Sequence, residues 1–183
     1  MFIEIHELER HPVDFDEEFH PGLIDLGADL RQRGDLHASG RAQLVEEHRG
    51  KGKLIKDIRL NGELSASLEI ACARCLEPAV QNVERRFDLL YRPQGADGGQ
   101  EELSFTAAEA EIGYYQGTSL LLEDVLREQV LLAVPLKAIC RQDCKGLCPQ
   151  CGADLNVVQC SCQAPIGDPR WSALKELRNK FDG

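Results

Sequence analysis

The stretch Asp35–Cys75, DLHASGRAQLVEEHRGKGKLIKDIRLNGELSASLEIACARC, decides the fold. Leu36, Ala38, Gly40, Ala42 and Leu44 alternate with Asp35, His37, Ser39, Arg41 and Gln43, the period-two pattern of a strand with one face buried and one wet. Arg49–Lys53 reads RGKGK, a basic, Gly-rich turn. Ile58 and Leu60 then close a second strand before Asn61-Gly62, a dipeptide that favours the positive backbone angles of a two-residue hairpin. The next strand puts Leu64, Ala66, Leu68, Ile70 and Cys72 on one face, so Cys72 arrives at the sheet's end on the apolar side.

Working outward, the turn Leu76-Glu77-Pro78 leads to a fourth extended run with Val83, Arg85, Phe87, Leu89 and Tyr91 on one face. The short connections predict an antiparallel β-meander, barrel-like in its closure. Residues 93–102 combine Pro, Gly and acids without periodicity and read as an exposed loop. A short extended piece is expected at Ile112–Tyr115. A helix near 119–133 follows, with Leu122, Val125, Leu126, Gln129 and Val130 at helical spacing, Glu123 and Asp124 at the positive end of its dipole, and Pro135 as its stop. Asp168-Pro169 marks a second helix start in the tail. The fold class is therefore α+β: a mainly antiparallel sheet in residues 1–136, one or two helices, and a zinc-ribbon-like cysteine module in 137–183.

A chain of 183 residues has room for about one domain and an appendage. Its net charge of −10 argues against a surface devoted throughout to phosphate. The acidity is concentrated in residues 1–34 and 94–136, whereas 35–93 and 137–183 are near neutral or slightly basic. Glu4, Glu7 and Glu9 are incompatible with the basic, then apolar start of a secretory signal. The most apolar run, Leu120–Leu136, is broken by Glu123, Asp124, Arg127 and Glu128, too charged for a membrane span. A cytoplasmic protein is expected, and in that reducing compartment clustered cysteines are metal ligands or redox groups more often than disulfides.

The eight cysteines fall at 72, 75, 140, 144, 148, 151, 160 and 162. Cys148-Pro149-Gln150-Cys151-Gly152 has the knuckle spacing of zinc ribbons and rubredoxin-type sites, in which two thiolates three residues apart converge on one metal. A second pair, Cys72-Ala73-Arg74-Cys75, and four further cysteines give eight thiols, enough for two tetrahedral sites. The simplest partition joins Cys72 and Cys75 to Cys140 and Cys144, and Cys148 and Cys151 to Cys160 and Cys162. Spacing equally allows Cys144 to join Cys148 and Cys151. Two structural zinc ions are expected; iron also suits four thiolates. Cys144, Cys148 and Cys151 share the C-x3-C-x2-C spacing of radical enzymes, but only 32 residues follow, too few for their barrel. A thioredoxin-like role for Cys72 and Cys75 would need the pair at a helix start inside a βαβ unit, whereas here Cys72 ends a strand and the turn Leu76-Glu77-Pro78 follows.

No Walker loop, dinucleotide fingerprint, nucleophile elbow or H-E-x-x-H is present, so no catalytic residue is assigned and a non-enzymatic protein is expected. The five histidines all precede residue 49 without ligand spacing. Arg41, Arg49, Lys51, Lys53, Lys56 and Arg59, with Lys137, Arg141 and Lys145 of the tail, are candidate RNA phosphate contacts; equally, they suit the wet face of a sheet. Ten aromatics, none interleaved with basic residues, give no stacking platform for bases.

CARCLEP at Cys72–Pro78, CKGLCPQCGADLN at Cys144–Asn156, Cys160-Ser161-Cys162 and Asp168-Pro169-Arg170-Trp171 together resemble the bacterial YceD family over about Gly34–Leu177. The resemblance implies a cytoplasmic, non-enzymatic factor supporting synthesis, processing or accumulation of large-subunit ribosomal RNA, often encoded beside a small basic large-subunit ribosomal protein. The residues it carries over are the cysteines and Arg74. Two functions follow: a binding adaptor whose partner is large-subunit ribosomal RNA or a basic ribosomal protein, without membrane or small-molecule substrate, or a thiol or iron–sulfur redox protein.

Overall fold

The alternation read from Asp35 onward is the centre of a mostly antiparallel sheet. The computed structural model describes residues 1–49, 53–96 and 112–162. In chain order the elements are β1 (Phe2–Glu4), α1 (Ile5–Leu8), β2 (Val13–Phe19), β3 (Leu30–Gln32), β4 (Leu36–Arg49), β5 (Lys53–Ala71), β6 (Pro78–Pro93), β7 (Ile112–Tyr115), β8 (Ser119–Leu121) and α2 (Leu122–Ala133). The main sheet runs β2-β4-β5-β6-β7, with β3 also on β5; its pairs are antiparallel except β6 with β7. β1 and β8 form a separate two-stranded sheet. β4 and β5 pair in register from His37 opposite Ser65 to Arg49 opposite Lys53; residues 50–52 of the expected basic turn lie outside the described residues. Of the loop expected at 93–102, residues 97–102 lie outside the described residues, as does the helix start at Asp168-Pro169.

Asn61-Gly62 is not a turn. β5 runs through it, paired with β4 on one side and β6 on the other. Gly62 is not among the residues with positive φ, which a hairpin of that type requires. Its role is close approach. Phe15, Gly40, Gly62 and Phe87 face one another across four adjacent strands. A Cβ on Gly40 would lie 2.2 Å from the Asn61 carbonyl oxygen and 2.6 Å from the Phe15 ring, and one on Gly62 2.4 Å from the Ser39 oxygen. The rings of Phe15 and Phe87 cover the space the two glycines leave, and so repair a row that lacks side chains of its own.

The inward phase of the strands forms one core, including Leu36, Ala38, Ile58, Leu60, Leu64, Leu68 and Phe87. α2 covers it with Leu122, Val125, Leu126 and Val130, all nearly inaccessible. Its buried Gln129 accepts a hydrogen bond from Arg85 Nε at 2.8 Å, so the one cation on the inward phase of β6 is satisfied. Val134 is extended (φ −67°, ψ 129°) as the residue before Pro135 must be, and the helix ends there. At the other end of the sheet the buried Arg92 donates to Asp57 at 2.9 and 3.2 Å and to Glu47 at 2.6 Å. Among the described residues no helix is long and apolar enough to cross a membrane.

Candidate metal centre

The turn after β5 folds the first cysteine pair over the sheet's end. Cys72 N–H donates to the Glu77 carbonyl at 2.8 Å and Leu76 N–H to the Cys72 carbonyl at 2.9 Å, which closes a tight knuckle. Leu76 adopts φ +64°, the left-handed region that costs a residue with a Cβ about 1–2 kcal/mol. The segment leaving α2 then brings up Cys140 and Cys144. Ala73 N–H donates to the Ala138 carbonyl at 2.8 Å, and Arg74 clamps the approach through its guanidinium, 2.9 Å from the Cys144 carbonyl oxygen and 3.3 Å from that of Gln142. Leu147 N–H returns to the Arg74 carbonyl at 3.0 Å. Gly146 lies under this clamp at φ +74°, where a Cβ would meet the Arg74 oxygen at 2.9 Å.

The second pair repeats the knuckle. Gly152 holds the position after the second cysteine at φ +74°, as Leu76 does in the first, and Gly152 N–H donates to the Cys148 carbonyl at 2.9 Å. Cys148 N–H reaches the Ala153 carbonyl at 2.8 Å. Asn156 joins the two knuckles: its side chain accepts from Lys145 N–H at 2.8 Å and donates to Asp154 at 2.6 Å and towards Cys144 Sγ at 3.5 Å.

The result is two groups of four, Cys72, Cys75, Cys140, Cys144 and Cys148, Cys151, Cys160, Cys162, with the sulfurs of each within 4.8 Å of one another. This is the simplest partition of the sequence; Cys144 stands with Cys72, not with Cys148 and Cys151. In the first group Cys72 Sγ is 3.9 Å from Cys144 Sγ, and Cys75 Sγ 3.7 Å from Cys140 Sγ. Tetrahedral ligation with bonds of about 2.3 Å separates sulfurs by roughly 3.8 Å, so these four suit one ion. Cys72, Cys75 and Cys144 are buried whereas Cys140 is exposed; in the second group only Cys148 is buried.

The electrostatics suit a cation as well. Backbone N–H groups of Arg74, Cys75 and Cys140 pull the Cys72 thiol down to about 6, and those of Cys151 and Gln150, helped by Cys160, do the same for Cys148. The Glu77 N–H favours ionisation of Cys75, but burial and the neighbouring cysteines outweigh it and push the thiol up to about 12. Cys162 is pushed up to about 12 by the Cys151 thiol and by burial. Each group thus has one sulfur that ionises readily and one that ionises only when a positive charge offsets its neighbours. A divalent ion held by thiolates supplies that charge.

The basic residues do not converge. Arg41 is bidentate to Asp14 at 2.5 and 2.9 Å, Arg59 to Asp88 at 2.9 and 2.7 Å, and Lys56 pairs with Glu9. These cross-strand pairs hold the guanidiniums of Arg41 and Arg59 above, and the facing carboxyls below, their ordinary values. Lys137, Arg141 and Lys145 are exposed around the cysteine groups, with Arg141 3.4 Å from Asp143. Lys51 and the side chains of Arg49 and Lys53 lie outside the described residues.

These features define a class: a mostly antiparallel sheet protein carrying two adjoining four-cysteine groups that can hold metal ions. A family model described as large ribosomal RNA subunit accumulation protein YceD matches residues 60–178, and the chain belongs to that family. An uncharacterized protein of Mycobacterium tuberculosis is 33% identical over 181 residues, covering 97% of this chain and 81% of the relative. The chloroplastic large ribosomal RNA subunit accumulation protein YCED homolog 1 of Zea mays is 30% identical over 150 residues, 65% of this chain and 47% of the relative. The uncharacterized protein YlbN of Bacillus subtilis is 21% identical over 181 residues, 98% and 95% of the two chains. No solved structure matches the chain.

Proposed function

We infer that the protein is a non-enzymatic factor of the cytoplasm that supports large-subunit ribosomal RNA synthesis, processing or accumulation, as a zinc-stabilised adaptor. The observation that carries this reading is the pairing of family membership with two complete four-sulfur groups. Four protein ligands close a zinc site and leave no position for substrate, which suits a structural role. Reduced thiols in this number also suit a reducing compartment.

The direct partner is a basic protein of the large subunit. The outward face of the sheet carries Asp14, Asp16, Glu18, Glu63, Glu84 and Asp88 against Arg41, Arg59 and Arg86, and the register places these side by side. Phosphate would have to displace carboxylates from Arg41 and Arg59, whereas a cationic segment meets Glu18 and Glu84, which have no ion pair among the described residues. RNA contact through Lys137, Arg141 and Lys145 is the competing outcome.

Two measurements test the reading. Protein purified without added metal should contain about two zinc per chain and show no visible absorption; iron bands, or a reversible Cys72-Cys75 disulfide, would replace the adaptor by the redox reading. Cells depleted of the protein should accumulate altered large-subunit RNA precursors, and an unchanged precursor profile overturns the ribosomal role.

A further inference from the structure

A groove of about 550 Å³ opens between α2, β7 and the β1–β8 pair, and no cysteine lines it. Its volume is in the range of ligand clefts. Phe2, Tyr91 and Tyr114 line it with aromatic surface, and Asp124 and Glu128 of α2 add two carboxylates. Phe2 is 61% exposed and Tyr114 47%, unusual values for large aromatic side chains.

Tyr91 points to a ligand independently of the acids. It is only 8% exposed, its ring is packed against Gly113, where a Cβ would come within 2.5 Å of it, and its hydroxyl has no hydrogen-bond partner among the described residues. The hydroxyl is not one of the fully buried unpartnered polar atoms, so it reaches the open groove and is accessible to a bound group. Burial, and then the negative charge of Glu128, push this phenol up to about 12, so it stays neutral, with an oxygen that can accept an N–H, and the carboxylate is close by.

Among the described residues neither Asp124 nor Glu128 has an ion pair. Asp124 benefits from the helix dipole, but Glu128 lies four residues further on, at the spacing where like charges repel. Arg127, the only basic residue of α2, is turned away and donates to the Asp25 carbonyl at 2.6 Å.

We propose that this groove binds an arginine side chain of a basic protein partner, the guanidinium stacking on the Phe2 and Tyr114 rings while Asp124 and Glu128 accept its N–H groups. Aromatic faces attract cations, and a planar guanidinium both stacks and bonds carboxylates in pairs, so arginine is preferred to lysine. Nucleic acid is disfavoured because its phosphates would approach two carboxylates. The inference rests on the adaptor reading only for the partner's class.

The test uses the full chain, metal-loaded, with ring-labelled tyrosine. All three tyrosines, Tyr91, Tyr114 and Tyr115, line this groove, so every tyrosine ring signal reports on it. Titration with a capped Arg-Gly-Arg-Gly-Arg peptide should shift the Tyr91 and Tyr114 signals to saturation. The lysine peptide should bind more weakly and the citrulline peptide at least tenfold more weakly. D124N/E128Q should weaken the arginine peptide at least tenfold; both side chains are exposed, so the fold tolerates the change. Equal binding of the citrulline peptide or by the double variant overturns the proposal. So do larger shifts from an oligonucleotide, or rings that move only when the chain's own tail is deleted. A depletion experiment without RNA phenotype leaves these titrations interpretable, and failed titrations leave the RNA phenotype standing.

Discussion

Replacing Cys72 by serine separates the two metal groups most sharply. Cys72 is inaccessible to solvent, its sulfur is 3.9 Å from that of Cys144, and it receives N–H groups of Arg74 and Cys140 at 3.4 Å each. A serine oxygen keeps those donors satisfied but reaches less far and binds zinc less well than a thiolate. If a structural zinc site is worth on the order of 10 kcal/mol shared by four ligands, one ligand accounts for about 2.5–4 kcal/mol. That is a loss of about 10² to 10³ in metal affinity. The second group has its own closures, Cys148 to Ala153 and Gly152 to Cys148, and shares no sulfur with the first. Metal analysis after passage through a competing chelator should therefore find one ion lost and one kept, and Cys151→Ser should give the mirror result. Loss of both ions, or retention of both, would refute two independent sites.

Leu76→Gly should raise stability by about 1 kcal/mol in a denaturant melt, against the usual direction for glycine, because the side chain is 65% exposed and the backbone left-handed. Lower stability would mean that the leucine's contacts outweigh its strain. Gly62→Ala should cost more than about 2 kcal/mol, since its Cβ would lie 2.4 Å from the Ser39 carbonyl oxygen and the two strands would have to part; a shift within about 0.5 kcal/mol would show that the row yields freely. In an alkaline titration Tyr91 should ionise near 12, above the ordinary value of 10. A raised acid stabilises the fold fully below 10 and loses that contribution as pH rises through 12, so the melting temperature should fall over that window. Glu128→Gln should bring the Tyr91 value down, and an unchanged value would show that burial alone sets it.

Much of this architecture was legible because its signals are local. Period two from Leu36 to Leu44 and from Leu64 to Cys72 fixes faces, and the C-x2-C knuckles pair Cys72 with Cys75 and Cys148 with Cys151, while the allocation of Cys144 needed the structure. What escaped was set by partners distant in sequence. Asn61-Gly62 carries the chemistry of a turn, and only the glycine opposite it and the rings of Phe15 and Phe87 show that close packing prevails. β1 finds its partner at Ser119–Leu121, more than a hundred residues away, and three-residue strands leave no periodicity. Arg92 and Asp57 are a buried pair that no spacing in the sequence marks, because their strands meet only in the sheet. The left-handed Leu76 has no signature, because leucine, unlike Gly152 at the matching place of the second knuckle, does not announce a positive φ. The groove escaped because Phe2, Tyr91, Tyr114 and Glu128 come from four separate elements.

The cysteine lobe differs from the sheet in what holds it. Among its described residues only Ala138, Cys144 and Cys148 are buried apolar groups, while Leu136, Val157 and Val158 stand exposed. Burial of that size cannot offset the backbone ordering of the segment, about 1–2 kcal/mol per residue, so the sulfur–metal bonds must hold it. The sheet and α2 have their own continuous core. Chelation under reducing conditions should therefore unfold the molecule in two stages. Amides bonded within the lobe, such as Leu147 to Arg74, Cys148 to Ala153 and Leu155 to Gly146, should lose hydrogen-exchange protection by orders of magnitude. Those of central β4, β5 and α2 should keep theirs, with fraying confined to the end of β5 near Cys72. Simultaneous loss throughout would mean that the first metal group holds the sheet together as well as the lobe, and that the two are one cooperative unit.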